Sequence, residues 1–425
     1  MLNLFGYLII TKAYLNKITR SQLMEVYLKP IISACYVFPI LAVIFTIPYI
    51  LYEYHKYGSI LILRTGIVYT FIFYMLTSYF MTVLPLPPRS SVTPDTASVL
   101  LVPFDAIRRI ITTANVTLSQ PSTYVNLFKC FDFWQVAFNI LLLFPFGVYL
   151  RYYFKRPWWQ VLIFSFGYSL FFELTQISGL YGIYRYPYRY FEVDDLICNT
   201  LGGVLGYVCT PLIVFMLPKR DRLDEAAYKR GQIVSEFRRG VAWIIDMVII
   251  MIPVLVAMLL LWHEHIITRK MVLGSVYNVR YVVILSLYIV IVFTLVTKLT
   301  RGRTIGKALV NIRLIDCKDT VLNINKVPHI KMYKLFIRYF IIYTISVPSL
   351  LYAYNFYRMA IELEGVKLLA VTAGCVICIL ITIYMAFDLL LCLFSSTRNM
   401  LYDRITGITH RSDIISRQDN TNLTS

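Results

Sequence analysis

Apolar residues fall along this chain in long uncharged runs separated by shorter polar gaps. The runs at 31–52, 65–84, 133–150, 157–178 and 196–217 fill the first half, and those near 241–262, 281–297, 338–357 and 368–394 fill the second. About 20 mostly apolar residues suffice for a helix to cross the hydrocarbon layer of a membrane. The pattern therefore predicts an all-α, polytopic helical membrane protein with about nine transmembrane helices in two modules.

The polar gaps set the boundaries. Residues 1–29 read as a basic amphipathic N-terminal segment. Residues 30–217 form a first membrane domain of about five spans, residues 218–236 a polar linker, residues 237–411 a second membrane domain of about four spans, and residues 412–425 a polar tail. The first domain holds an unusually long connection at 85–131, rich in proline, which predicts a structured or re-entrant loop. The tail is expected to lose order after about 412. No cleavable leader is evident at the start.

Composition supports the membrane class: 58% of residues are hydrophobic and only 15% charged, where soluble domains carry roughly a quarter charged. The net charge of +18 sits in the gaps, where the positive-inside rule places it, and without a basic soluble module no nucleic acid is expected as a partner. Membrane lipids are the partners it implies. The basic segments 151–156, 218–239 and 298–334 and the tail are placed in the cytoplasm, so 85–131 and 179–195 face outward. Tracing back puts the N-terminus outside against its own basic residues. Either a membrane element is hidden in 85–131 or one early span is misplaced.

Cysteines fall mostly within or beside the apolar runs, and Cys375 and Cys378 spell CxxC inside a span without nearby histidine, so they read as packing residues. No cofactor is implied and no metal site is assigned, since carboxylates without ordered histidines do not suit zinc. Residues 304–307 resemble a phosphate-binding loop only superficially and lack its spacing, which excludes nucleotide binding there.

Polar side chains inside apolar runs are costly and point to use. On the fourth run Ser165, Ser169, Glu173 and Gln176 share one helical face. On the fifth, Asp195 and Asn199 stand one turn apart, and Gly202, Gly203 and Gly206 permit close backbone approach. The two stripes are expected to face each other, with Asn139 of the third run beside them. Between them lies an aromatic, arginine-rich loop with Arg185, Arg189, Glu192 and Asp194. The plain reading is helix-to-helix hydrogen bonding, with Asp195 capping its helix. The functional reading is a site at an outward mouth, where Arg185 and Arg189 bind an anion by bidentate bonds and the acids serve as acid and base or hold a divalent cation through oxygen ligands.

In the second half Asp246 lies within a span and needs a partner from another helix, with Arg338 or Asp388 as the candidates. Arg239 stands two turns from it, too far for a direct pair. Arg239 and Arg338 also suit simple cytoplasmic anchoring.

The first half resembles the VanZ-like family of bacterial membrane proteins. The resemblance is carried by Asn139 before the LLFPFG of 142–147, by Ser169, Glu173 and Gln176, and by the stretch Arg189 to Gly202. That stretch includes Asp194, Asp195, Asn199 and a Glu192 that stands where the family usually has Asp. It covers about 30–217. The family is named for a protein implicated in teicoplanin resistance, so the resemblance implies the bacterial plasma membrane and a role with glycopeptides or lipid-linked cell-wall precursors, without naming a reaction. The second half, about 237–411, resembles the RDD family through Arg239, Asp246, the TIGKALVNIRLID of 304–316, and Asp403 in LYDRITGITH. Some of its members have been proposed to exchange cations for protons, which makes transport the alternative and a membrane scaffold the second alternative. Nothing in the pattern decides between catalysis, transport and binding, or sets the oligomeric state.

Overall fold

A computed structural model describes residues 20–96, 99–116, 119–266, 268, 278–317, 330–361, 363–394 and 399–414. Most of the expected amphipathic N-terminal segment and the end of the polar tail lie outside these residues. The chain is built of helices, with two small two-stranded pairings as the described β-structure. It divides into two compact units. Of the described residues, the first holds those within 20–47 and 61–223, the second those within 48–60 and 224–414.

Among the described residues seven helices are long and apolar enough to cross a membrane, and one bent pair raises this to eight. In the first unit these are α1 (Arg20–Tyr57, whose last turns belong to the second unit), α2 (Ile62–Val83), α4 (Phe131–Tyr152) and α6 (Val193–Ile213). The ninth expected span is α5 (Trp158–Ile177), a helix of 20 residues. It has the length to cross, but Gln160, Glu173 and Gln176 lower its apolarity. The long loop carries one further helix, α3 (Asp105–Ala114), which at about 1.5 Å per residue is too short to span. The loop thus has structure but hides no additional crossing among the described residues.

Helices α4 and α6 lie backbone against backbone. A Cβ on Gly202 would overlap the carbonyl oxygen of Ile140, one on Gly206 that of Phe144, and one on Gly147 that of Gly203. Small residues at these positions let two helices approach more closely than bulky side chains allow, which in lipid is a main source of association. Helix α5 closes on the pair through a core of Leu143, Phe146, Leu150, Val161 and Phe172. Tyr74 donates to the Leu142 carbonyl at 2.7 Å and Tyr168 to the Met75 carbonyl at 2.8 Å, fastening α2 to the same core.

In the second unit α7 (Arg220–Gly231) leads into the spans α8 (Glu236–His263) and α9 (Val279–Leu299). The short helix α10 (Ile305–Leu309) follows, and then strand β3 (Ile312–Asp316). The expected span at 338–357 is a broken one: α11 (Met332–Phe340) passes through a π turn at Ile341–Ser346, and α12 (Ser349–Ala360) continues at an angle of 41°. Pro348 at the break has no N–H to extend the helix, the usual cause of such a kink. After α13 (Gly365–Phe394) and α14 (Leu401–Thr406), strand β4 (Ile408–Ser412) pairs antiparallel with β3, setting Leu314 opposite His410. The stretch from Leu401 to Ser412, read from sequence as polar tail and terminal motif, is thus built into the core. Ile408 packs there with Leu314, Phe293, Tyr339 and Tyr343.

Candidate functional site

The polar stripes of α5 and α6 meet. Asn199 donates to the Ser169 hydroxyl at 3.0 Å, Ser169 reaches the Asp195 carbonyl at 3.4 Å, and the Asn139 amide donates to the Asp195 carboxylate. Glu173, only 2% exposed, accepts the Glu192 backbone N–H at 3.1 Å. Its charged neighbours are Asp195, Glu192 and Arg189. Asn139, Asp195, Ser169 and Asn199 are therefore joined by hydrogen bonds, and Glu173 with Glu192 stands beside them as a second acidic set. The side-chain amide oxygen of Asn199 and the hydroxyl of Ser165 are buried with no hydrogen-bond partner among the described residues.

Gln176 shares the stripe but turns elsewhere. Its amide donates to the Thr82 carbonyl at 2.9 Å, the same oxygen that Arg189 reaches at 2.7 Å; Arg189 also contacts the Leu84 carbonyl at 3.3 Å. The last carbonyls of α2 have no intrahelical donors, and the prolines at 85, 87 and 88 supply no N–H. Gln176 and Arg189 fill that gap. The expected anion clamp of Arg185 and Arg189 is accordingly not assembled. Arg185 is exposed beside the Tyr186 ring, and burial pushes the nearby Tyr188 phenol up to about 12, against the opposing charge of Arg189.

Asp194 is not in the acid group either. Its carboxylate accepts the N–H of Phe104 at 2.5 Å and of Ala106 at 2.6 Å. It holds the start of α3, where orphan N–H groups and the helix dipole favour an anion. Phe104 itself sits at φ 65, a left-handed conformation unfavourable for a residue with a side chain, and the bond to Asp194 stabilises it there. Asp195 does not cap its own helix, because its side chain bonds Asn139.

The residue that sequence reading missed is Arg109. It pairs with Asp105 at 2.7 Å and Glu192 at 3.3 Å, and lies 3.9 Å from Asp132. A cavity of about 120 Å³ opens between Arg109, Asp105, Glu192 and Asp194. The only local signal was a basic pair, Arg108 and Arg109, following an acid, which is too common to single out. Among the described residues no group of three or more His, Cys, Asp or Glu is arranged to hold a metal ion.

In the second unit Asp246 finds partners other than those expected. It accepts the Thr304 hydroxyl, the Gly306 N–H at 2.7 Å and the Lys307 ammonium at 3.4 Å. Thr304 also caps α10, and a Cβ on Gly306 would strike the Ala242 carbonyl. The segment that imitates a phosphate loop is thus a cradle for a carboxylate of the chain itself, with each motif residue serving that contact. Neither Arg338 nor Asp388 pairs with Asp246, because each has a nearer partner. Arg338 bonds Asp403 at 2.9 Å through two nitrogens, and Asp388 accepts the Leu401 N–H at 2.7 Å and pairs with Arg404. Arg239 lies 3.1 Å from Glu236 and 3.8 Å from Asp403. The signature residues therefore split: Arg239 and Asp403 approach each other, while Asp246 is bound by Lys307.

His410 stands beside Asp403 at 3.9 Å. Burial first, and then the charges of Arg239, Arg338 and Lys307, hold its pKa well below the ordinary histidine value. Arg238, neighbour of the signature arginine, is fully buried and donates to the carbonyls of Val310 and Gly231 at 2.7 Å and of Asn311 at 2.8 Å. Cytoplasmic anchoring was the plain expectation for Arg239 and Arg338; Arg238, which the helical pattern does not single out, is the arginine held most fully by backbone carbonyls.

No curated protein and no solved structure matches the chain. Residues 71–215 match the VanZ/LLP1 family and residues 233–407 match the RDD family. The first match contains the whole α5–α6 acid group and the second the Asp246 and Asp403 pairs, so this multi-pass membrane protein joins a VanZ-like segment to an RDD-family segment.

Proposed function

We propose that the VanZ-like unit binds the polar, donor-rich headgroup of a lipid-linked cell-wall precursor, or a glycopeptide that targets it, at the outer face of the bacterial plasma membrane. In this reading the protein contributes to resistance against teicoplanin-type antibiotics. One observation carries the proposal: Glu173, Glu192 and Asp195 gather beside a buried Asn199 side-chain oxygen that has no partner among the described residues. The group is rich in acceptors and poor in donors, and it complements a ligand that presents hydroxyl, amide or ammonium hydrogens. Buried acceptors left unpaired are costly, so a ligand that pairs them gains from each one. The test is susceptibility of a host carrying the protein, with Glu173→Ala and Asp195→Ala alongside and accumulation measured by blotting. Lost protection at normal accumulation supports the site, and full protection from both variants overturns it.

A second reading, cation–proton exchange through the RDD unit, draws on the buried Asp246–Lys307 pair. Ionisable groups within spans are common in proton relays. Reconstituted vesicles would show pH-driven cation flux that Asp246→Asn removes, and absence of flux at every pH from mildly acid to mildly alkaline would end this reading.

A further inference from the structure

Five apolar side chains outside every candidate span point away from the protein. Leu101 is 64% exposed, Val102 68%, Phe104 59%, Ile107 50% and Ile111 57%. Exposure of this kind is ordinary on a helix that faces lipid and unusual on a connecting loop, where a contiguous apolar patch marks an interaction surface.

Three contacts place the patch at one depth. Strand β1 (Val99–Leu100) pairs in parallel with β2 (Phe191–Glu192), which leads directly into α6. Asp194, in the first turn of α6, holds Phe104 and Ala106. Arg109 reaches toward Asp132, in the first turn of α4. Gly202 and Gly206 of α6 lie against Ile140 and Phe144 of α4 in the same order, so the two spans run parallel and start at the same membrane face. The 99–111 segment is pinned to both starts and therefore lies at the level of that face.

Helix α3 is divided along its length to match. At helical spacing, Ile107, Ile110, Ile111 and Ala114 share one side, and Asp105, Arg108, Arg109 and Thr112 the other. A strong division with low overall hydrophobicity is the mark of a helix lying in the membrane plane rather than crossing it.

We propose that residues 99–111 form an interfacial platform, with Leu101, Val102, Phe104, Ile107 and Ile111 inserted among the lipid chains of the leaflet in which α4 and α6 begin. The polar side of α3 then faces the cavity of Arg109, Asp105 and Glu192, which opens at headgroup depth. Where the headgroup-binding reading above holds, a lipid-borne ligand reaches the acid group sideways from the leaflet.

The experiment uses the full chain in lipid nanodiscs, with exposed Cys35 and Cys317 replaced by Ser. Single nitroxide labels are placed at Leu101→Cys, Ile107→Cys and Thr112→Cys. Folding is confirmed by elution position. Relaxation by oxygen should exceed that by a water-soluble nickel chelate at 101 and 107, with the order reversed at 112. Greater nickel relaxation at 101 and 107 overturns the platform. Because the depth readout needs no ligand, failure of the Glu173 and Asp195 variants to affect resistance would remove the proposed function and leave this result standing.

Discussion

The Asn139 amide donates to the Asp195 carboxylate, tying α4 to the first turn of α6 at the same end where Glu173 of α5 reaches the backbone of Glu192. Three spans thus contribute one polar group each to a single point. That convergence depends on how closely α4 and α6 approach.

Gly202→Val should disrupt this approach, since its side chain would enter the Ile140 carbonyl. Overpacking of this kind costs about 1–3 kcal/mol or more. Thermal unfolding in detergent should show a clear loss of stability. Gly167→Ala, with nothing within 4 Å of the added carbon, should be neutral or gain roughly 0.5–1 kcal/mol. Equal effects from both would refute the backbone-contact account.

Lys307→Met should destabilise the RDD unit by about 3–5 kcal/mol, because it leaves Asp246 buried without its cation. Asp246→Asn alone should also be damaging, and the double variant should recover part of the loss. A double-mutant cycle on thermal stability measures the coupling, and a value near zero would mean that the pair contributes nothing.

Asp194→Ala should release the start of α3. The two N–H bonds are charge-assisted and worth roughly 1.5–3 kcal/mol each. Hydrogen exchange at Phe104 and Ala106 should rise well above that at the Asn139–Asp195 junction. Unchanged protection at both amides would show that other contacts hold the segment.

His410 gives the RDD unit a pH dependence of known sign. Its folded-state pKa is depressed, chiefly by burial, so the folded form resists a proton that the unfolded chain accepts. Stability should be flat above the ordinary histidine value of 6.5 and fall as pH drops below it, at up to about 1.4 kcal/mol per pH unit for one proton. His410→Gln should flatten that fall in a melting-temperature series, and an unchanged slope would assign it to other groups.

The parts of this protein legible in its sequence are those governed by local periodicity. The membrane class and the positions of the apolar helices follow from run length alone, because a bilayer accepts only helices of a certain length and apolarity. The shared face of Ser169 and Glu173, and the one-turn spacing of Asp195 and Asn199, follow from the helical repeat. The motifs of both halves were visible as residues at fixed spacing.

Pairing was not visible. Nothing local distinguishes Asp194, which holds the start of α3, from Asp195, which binds Asn139, since adjacent residues on a helix point in different directions and meet different neighbours. Lys307 rather than Arg338 meets Asp246, and Arg338 meets Asp403, because the turn after α9 and the antiparallel β3–β4 pairing carry distant segments to these spans. Arg189 joins the end of α2 because prolines there leave carbonyls unsatisfied, a need that becomes specific only when the loop folds back. By itself the sequence determined which side chains are too polar for their surroundings. Only the tertiary structure decided which of them pair with one another and which bond the backbone instead, because charge and hydrogen-bond partners act over a few ångströms of space and not along the chain.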